Sequence, residues 1–187
     1  MQKRIALGER YNVIMIDTAI EDYVKAGLVL PGSRTDIARS VIGGGVHAGL
    51  PIPDISSVES FKTALASAKS IGYSTGPSRE YLLSVFERLG IAGVIKPKLQ
   101  QVPSGLLVGS AIASGEVEIG FQQTNEVSHF PRVEYLGPIP PELQETTRRS
   151  GAVMAGSKVI EQGKALLRFI SGPEAAPVIW NHGLEPL

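Results

Sequence analysis

The residues of this chain best suited to chemistry lie in the run Ser74-Thr75-Gly76-Pro77-Ser78-Arg79, which links an apolar, strand-like start at Ile71 to an amphipathic helix. Backbone N–H groups in the first turn of a helix have no intrahelical acceptors, and the aligned peptide dipoles make that end partially positive. Such a turn suits an anion. Ser74, Thr75 and Ser78 add hydroxyls, and Arg79 adds a guanidinium able to pair with a carboxylate or an oxyanion. The alternative is plain helix capping, because Ser, Thr and Pro are also the ordinary residues of a helix start.

A second candidate is Gln122-Gln123, which follows Gly120-Phe121. Side-chain amides neither titrate nor attack, but they hydrogen-bond a ligand in both directions. A solvated pair at a strand end is the other reading. His47, His129 and His182 stand apart, without a partner acid at an interpretable spacing, and no Gly-x-Ser-x-Gly turn is present. Metal ligation needs convergent His, Asp or Glu, and no such spacing occurs. The expectation is a non-enzyme with no catalytic residue, no metal and no cofactor. Gly43-Gly44-Gly45 is not a phosphate loop, since no Gly-Lys-Ser/Thr follows it, and flexibility at a crossover is its expected use. Arg148-Arg149 reads as a solvated pair.

The elements that must position these groups alternate between strand and helix. Residues 12–16 read as a buried strand ending at Asp17-Thr18, followed by a helix over 19–26 with Gly27 as its stop. Residues 37–47, centred on the glycine run, read as a crossover. After the turn Pro51-Ile52-Pro53-Asp54, Val58, Phe61, Leu65 and Ala68 mark one face of a helix over 57–69, capped by Ser57 or Ser56. A strand over 70–73 and a helix over 78–89 follow, the latter with Tyr81, Leu82, Val85, Phe86 and Leu89 on one face and Gly90 as its stop. Next come a strand near 95–101, a helix over 104–113, strands over 117–122 and 133–136, and a second crossover near 150–155. Two helices close the chain, one over 159–170 and one opening with Pro173 in its first turn. The alternation is that of an α/β fold. Ligands in open α/β sheets sit beyond the carboxyl ends of strands, which nominates the loops 74–79, 102–105 and 122–126 for one cleft.

Bulk properties narrow the partners. In 187 residues, 18 Lys and Arg balance 18 Asp and Glu, so no global field draws the chain to nucleic acid or an anionic membrane. Cysteine is absent, which removes disulfides and thiolate chemistry. Met1-Gln2-Lys3-Arg4 is followed by no long apolar region, so neither a signal peptide nor a membrane insertion is expected in this sequence.

Several motifs in order carry a family resemblance: Ile71-Gly72-Tyr73-Ser74, Pro77-Ser78-x-x-Tyr81, Phe86-x-x-Leu89-Gly90, Lys96-x-Lys98-Leu99, Ser114-Gly115-Glu116-Val117-Glu118-Ile119-Gly120, Gln122-Gln123-x-x-Glu126 and Phe169-Ile170-Ser171-Gly172-Pro173-Glu174-Ala175-Ala176. Together they resemble the molybdate-type extracellular solute-binding proteins of ABC importers. The resemblance implies a two-lobed type II periplasmic-binding-protein-like fold with two crossover strands, lobe 1 being 1–41 with 150–187 and lobe 2 being 42–149. By the same resemblance Ser78 donates its backbone N–H to the ligand, and Gly105 is a second backbone donor. Gln123 stands where molybdate binders carry a ligand-contacting tyrosine. With Gln122 and Arg79, that departure resembles a Gln-Gln side branch whose ligands are small organic anions, carboxylates included.

The resemblance also implies that family elements ahead of the equivalent of residues 1–16, including two Ser-bearing loops, have no counterpart here. An incomplete first lobe exposes strand edges, so a homo-oligomer is expected. The expected function is binding of a small anion, oxyanion or carboxylate, in partnership with an ABC permease. The periplasmic location comes from the resemblance, with the cytoplasm as the alternative. Two other functions stay open: a truncated paralogue serving as an oligomeric interaction or sensing module, and an enzyme acting on an organic acid in the same cleft.

Overall fold

The computed structural model of the chain describes residues 4–5, 7–16, 20–75 and 77–187, without the Pro77 side chain. Met1, Gln2 and Lys3 of the amino-terminal run, Asp17, Thr18 and Ala19 between the first expected strand and helix, and Gly76 of the hydroxyl-rich turn lie outside the described residues. In chain order the elements are β1 (Val13–Ile16), α1 (Ile20–Lys25), β2 (Thr35–Ser40), β3 (Ile42–His47), α2 (Val58–Ser67), β4 (Ile71–Tyr73), α3 (Pro77–Arg88) and α4 (Ala92–Ile95). They continue with β5 (Leu99–Gln101), α5 (Val108–Ser114), β6 (Ile119–Gln123), α6 (Thr124–Val127), β7 (Val133–Pro138), β8 (Thr147–Val153), α7 (Ile160–Ile170), α8 (Ala176–Asn181) and β9 (Glu185–Pro186). The fold is mixed α/β, in two compact units.

The first unit comprises Met1–Ser40 with Thr147–Leu187. Its sheet has the order β1-β8-β2-β9 and is antiparallel throughout. Alternation along β1 sends Ile14 to one face, against Ile20, Tyr23, Val29, Ala152 and Met154, while Val13 joins Ile37, Val153 and Leu167 on the other. α7 packs closely because it presents Gly163 to the sheet: a Cβ there would lie 3.1 Å from methyls of both Val13 and Val153. At the rim of this sheet Asp36 accepts hydrogen bonds from Ser150 Oγ at 2.7 Å and pairs with Arg34 and Arg148, each at 3.0 Å.

The second unit is Val41–Thr146, with sheet order β5-β4-β6-β3-β7. β4 runs parallel to β5 and β6, and β3 runs antiparallel to β6 and β7. One face is covered by α2 and α3: Phe61, Leu65, Leu82, Val85 and Phe86 bury against Ile71, Tyr73 and Phe121. Phe61 meets Phe121 edge-on, with ring centroids 5.4 Å apart. Each of these large side chains contributes about 1.5–3 kcal/mol by leaving water. α2 starts at a capping box in which Ser57 and Ser60 satisfy one another's backbone N–H groups. The opposite face carries α5, whose Val108 and Ile112 pack with Val117 and Val127.

Several sequence expectations change. The run 37–47 is two strands in two different sheets: β2 pairs with β8 and β9, whereas β3 pairs with β6 and β7. Its glycines are buried and tightly packed, which replaces the expected flexibility. A Cβ on Gly43, Gly44 or Gly45 would come within 2.8 Å of Tyr135, Phe121 or Val133 respectively. The strand near 95–101 shrinks to β5, because α4 and a 3-10 turn containing Pro97 occupy the residues before Leu99. The helix over 104–113 begins only at Val108. Gly105 adopts φ +92°, outside the helical region, within a turn where Leu106 N–H donates to Pro103 O at 3.1 Å. The last helix begins at Ala176 and not at Pro173, because 173–175 form a turn in which Ala175 N–H bonds Gly172 O.

Candidate functional site

Parallel pairing brings three chain ends to one edge of the second unit's sheet. Tyr73, the last residue of β4, is in register with Gln101 at the end of β5 and with Phe121 in β6. Ser74 and Val102 therefore leave the sheet side by side, next to Gln122, which is still paired near the end of β6, and Val102 N–H donates to Tyr73 O at 2.9 Å. This is the carboxyl edge of the three parallel strands, where α/β folds place ligands.

The turn from β4 into α3 holds the densest set of donors. Ser74 and Ser78 are both buried, and their hydroxyl oxygens lie 3.2 Å apart. Ser78 and Arg79 occupy the first turn of α3, where the N–H groups lack intrahelical acceptors. Arg79 is half-buried, its Nε is shielded from solvent, and no described residue accepts a hydrogen bond from it. A guanidinium N–H without an internal acceptor is matched in charge and hydrogen bonding by an anion. Thr75 is exposed.

Gln122 has a more specific place than a strand-end amide. It is 4% exposed, and its Oε1 accepts the Val108 N–H, the first amide of α5, at 2.7 Å. α5 reaches that position because β4 and β6 present glycines in register beneath it. A Cβ on Gly120 would lie 2.4 Å from Val108 Cγ1, and one on Gly72 would lie 2.9 Å from Val117. Gln122 thus secures the end of the 102–107 loop, which carries exposed Gly105. Gln123 is half-buried, pairs with Ile42 across the sheet and precedes α6.

Two groups at this edge escape a reading by sequence. Thr124 bonds the Val41 carbonyl through both N–H (2.9 Å) and Oγ1 (3.0 Å), and Tyr135 OH donates to Thr124 Oγ1 at 3.4 Å. Burial pushes the Tyr135 phenol above its ordinary range, partly opposed by Thr124, so it remains a neutral donor near pH 7. Tyr135 reaches over the sheet only because Gly43 leaves room for its ring. The sole sequence signal was the glycine run itself.

The arrangement offers hydroxyls, backbone N–H groups, amides and one guanidinium, which together suit a small anion. Residues 1–185 match the bacterial extracellular solute-binding protein family. The chain belongs to that family. Its fold is that of the type II periplasmic binding proteins: it superposes on the substrate-binding domain of a putative molybdenum ABC transporter from Clostridium difficile with TM-score 0.79 and 14% identity, covering 100% of this chain and 81% of that one. The periplasmic molybdate-binding protein of Azotobacter vinelandii gives TM-score 0.72 and 20% identity, covering 97% and 81%.

A third relative changes the functional expectation. An aconitate isomerase from Pseudomonas sp is 35% identical over 186 residues, which span 98% of this chain and 71% of that protein. An enzyme that similar, over nearly the whole of this chain, overturns the expectation of a non-enzyme. The absence of an acid–base pair at an interpretable sequence spacing does not argue against an enzyme, because catalytic groups brought together by the fold need share no spacing along the chain. Among the described residues of this family member, no helix is long and apolar enough to cross a membrane.

Proposed function

We propose that this solute-binding-family chain takes a small organic polycarboxylate at the carboxyl edge of β4, β5 and β6 and, like the activity named for its Pseudomonas relative, interconverts isomers of such an acid. The observation that carries the reading is Arg79. Arg79 is half-buried in the first turn of α3, next in sequence to buried Ser78; its Nε is shielded without a hydrogen-bond partner, and no carboxylate among the described residues is in ion-pair contact with it. A carboxylate matches this donor set in charge and in geometry, since two oxygens can meet the planar guanidinium while the first-turn N–H groups bind the same anion. Aconitate carries three carboxylates on one small unsaturated skeleton, so one held at Arg79 leaves two for other donors.

The test is titration calorimetry with cis- and trans-aconitate, molybdate and sulfate, followed by proton NMR of the vinyl signals during incubation with each aconitate isomer. Saturable binding of aconitate and appearance of the other isomer are expected. Binding of molybdate or sulfate with no response to aconitate would overturn the carboxylate reading.

A second reading keeps the polycarboxylate and changes its fate: capture outside the cytoplasm and delivery to an ABC permease. Family membership and the transporter proteins among the structural neighbours favour it. Tight aconitate binding without any isomer conversion is its signature in the same experiment.

A further inference from the structure

We infer that Gln122 divides its amide between the fold and the ligand: Oε1 anchors the start of α5, and the NH2 group donates to the bound anion. The inference rests on the carboxylate reading above and adds a specificity-determining donor to it. Because the Val108 N–H can only donate, the 2.7 Å contact identifies the oxygen end of the amide and turns the NH2 end away from α5. Gln122 is 4% exposed, yet no acceptor among the described residues takes either hydrogen of that NH2 group. A nearly buried donor with a fixed orientation and no internal acceptor is matched by a ligand that accepts.

Its place in the sheet gives the ligand's address. Gln122 follows Phe121, Ser74 follows Tyr73, and Phe121 and Tyr73 are register partners on adjacent parallel strands. The amide therefore stands next to the Ser74 turn, at the same edge as the first turn of α3. Glutamine is suited to both tasks at once. A glutamate would accept the Val108 N–H equally well but would place a negative charge beside an anion, and a methionine would do neither.

The test follows the Gln122 side-chain amide directly. Its 1H–15N NH2 pair, assigned by its absence in Gln122→Glu, is monitored while the protein is titrated with tricarballylate, a saturated tricarboxylate that cannot isomerise. The expected result is a saturable shift of that pair at the same ligand concentration that saturates binding. Gln122→Glu is expected to keep the wild-type melting temperature within a few degrees while losing about 30-fold or more in affinity. Gln122→Met is expected to lose both affinity and thermal stability. An NH2 pair that stays put while tricarballylate binds, or wild-type affinity in Gln122→Glu, would overturn the inference. Should tricarballylate not bind the wild-type chain, the carboxylate reading falls. The same titration with sulfate then decides for Gln122: a shift keeps the donor role, and no shift removes it.

Discussion

The hydroxyls of Ser74 and Ser78 lie 3.2 Å apart, both buried, and close the turn between β4 and α3. Either hydroxyl can donate to the other across this contact. Ser74→Ala and Ser78→Ala are each expected to lower stability by about 1 kcal/mol, and the double substitution by less than the sum, because the two residues share one bond. Urea denaturation of the three variants checks this. Affinity for trans-aconitate is expected to fall about 10-fold in Ser78→Ala.

Arg79 separates binding from stability. Since its guanidinium pairs with no described carboxylate, Arg79→Met is expected to leave the ligand-free melting temperature unchanged or raise it, while trans-aconitate binding weakens by about 30-fold or more. Thermal unfolding with and without trans-aconitate reads both quantities. A drop of several degrees in the ligand-free protein would assign the guanidinium to the fold instead.

Gly120 tests how α5 is seated. Gly120→Ala would drive a Cβ to 2.4 Å from Val108 Cγ1, forcing α5 off the sheet and the Val108 N–H off Gln122. The expected cost is about 1–3 kcal/mol in chemical denaturation. Gly93→Ala is the control: it sits in α4 with nothing within 4 Å of the added Cβ, and a gain of up to about 1 kcal/mol is expected from helix propensity.

Asp36 makes the first unit acid-sensitive. The Ser150 hydroxyl holds its carboxyl below the ordinary aspartate range; burial opposes this, and hydrogen bonds from Arg34 and Arg148 add to the lowering. A carboxylate with a depressed folded-state pKa stabilises the protein fully above its unfolded value of about 3.9, and that contribution disappears as pH falls through the folded value. Asp36→Asn is expected to be less stable than wild type by about 1–2 kcal/mol at pH 7, with the gap closing as pH falls below the unfolded value of about 3.9 and through the lower folded value. Denaturation midpoints across pH 2–7 measure the difference.

Legibility in the sequence varied with the range of the interaction concerned. The helix faces of α2 and α3 were readable because Phe61 and Leu65, and Leu82, Val85 and Phe86, recur at the helical period and bury on one side. Ser57 was readable as a cap because its partner Ser60 lies three residues away. The start of α5 was not, because the left-handed turn at Gly105 competes with helix over the same residues and wins by a backbone conformation that composition does not encode. α6 was missed altogether, since four residues carry no period.

At the candidate site, the sequence by itself determined the donors of the Ser74 to Arg79 turn, since hydroxyl, guanidinium and helix start are neighbours along the chain. It also determined that glycines would crowd the strands at 43–45, 72 and 120. Only the tertiary structure decided what those glycines are for, namely room for Tyr135, Phe121 and Val133 and a close seat for α5. Only the tertiary structure, likewise, turned Gln122 from one of two adjacent amides into the anchor of a helix fourteen residues earlier. The reason is strand register: parallel pairing of β4 with β6 sets Ser74 beside Gln122, and no local spacing along the chain records that juxtaposition.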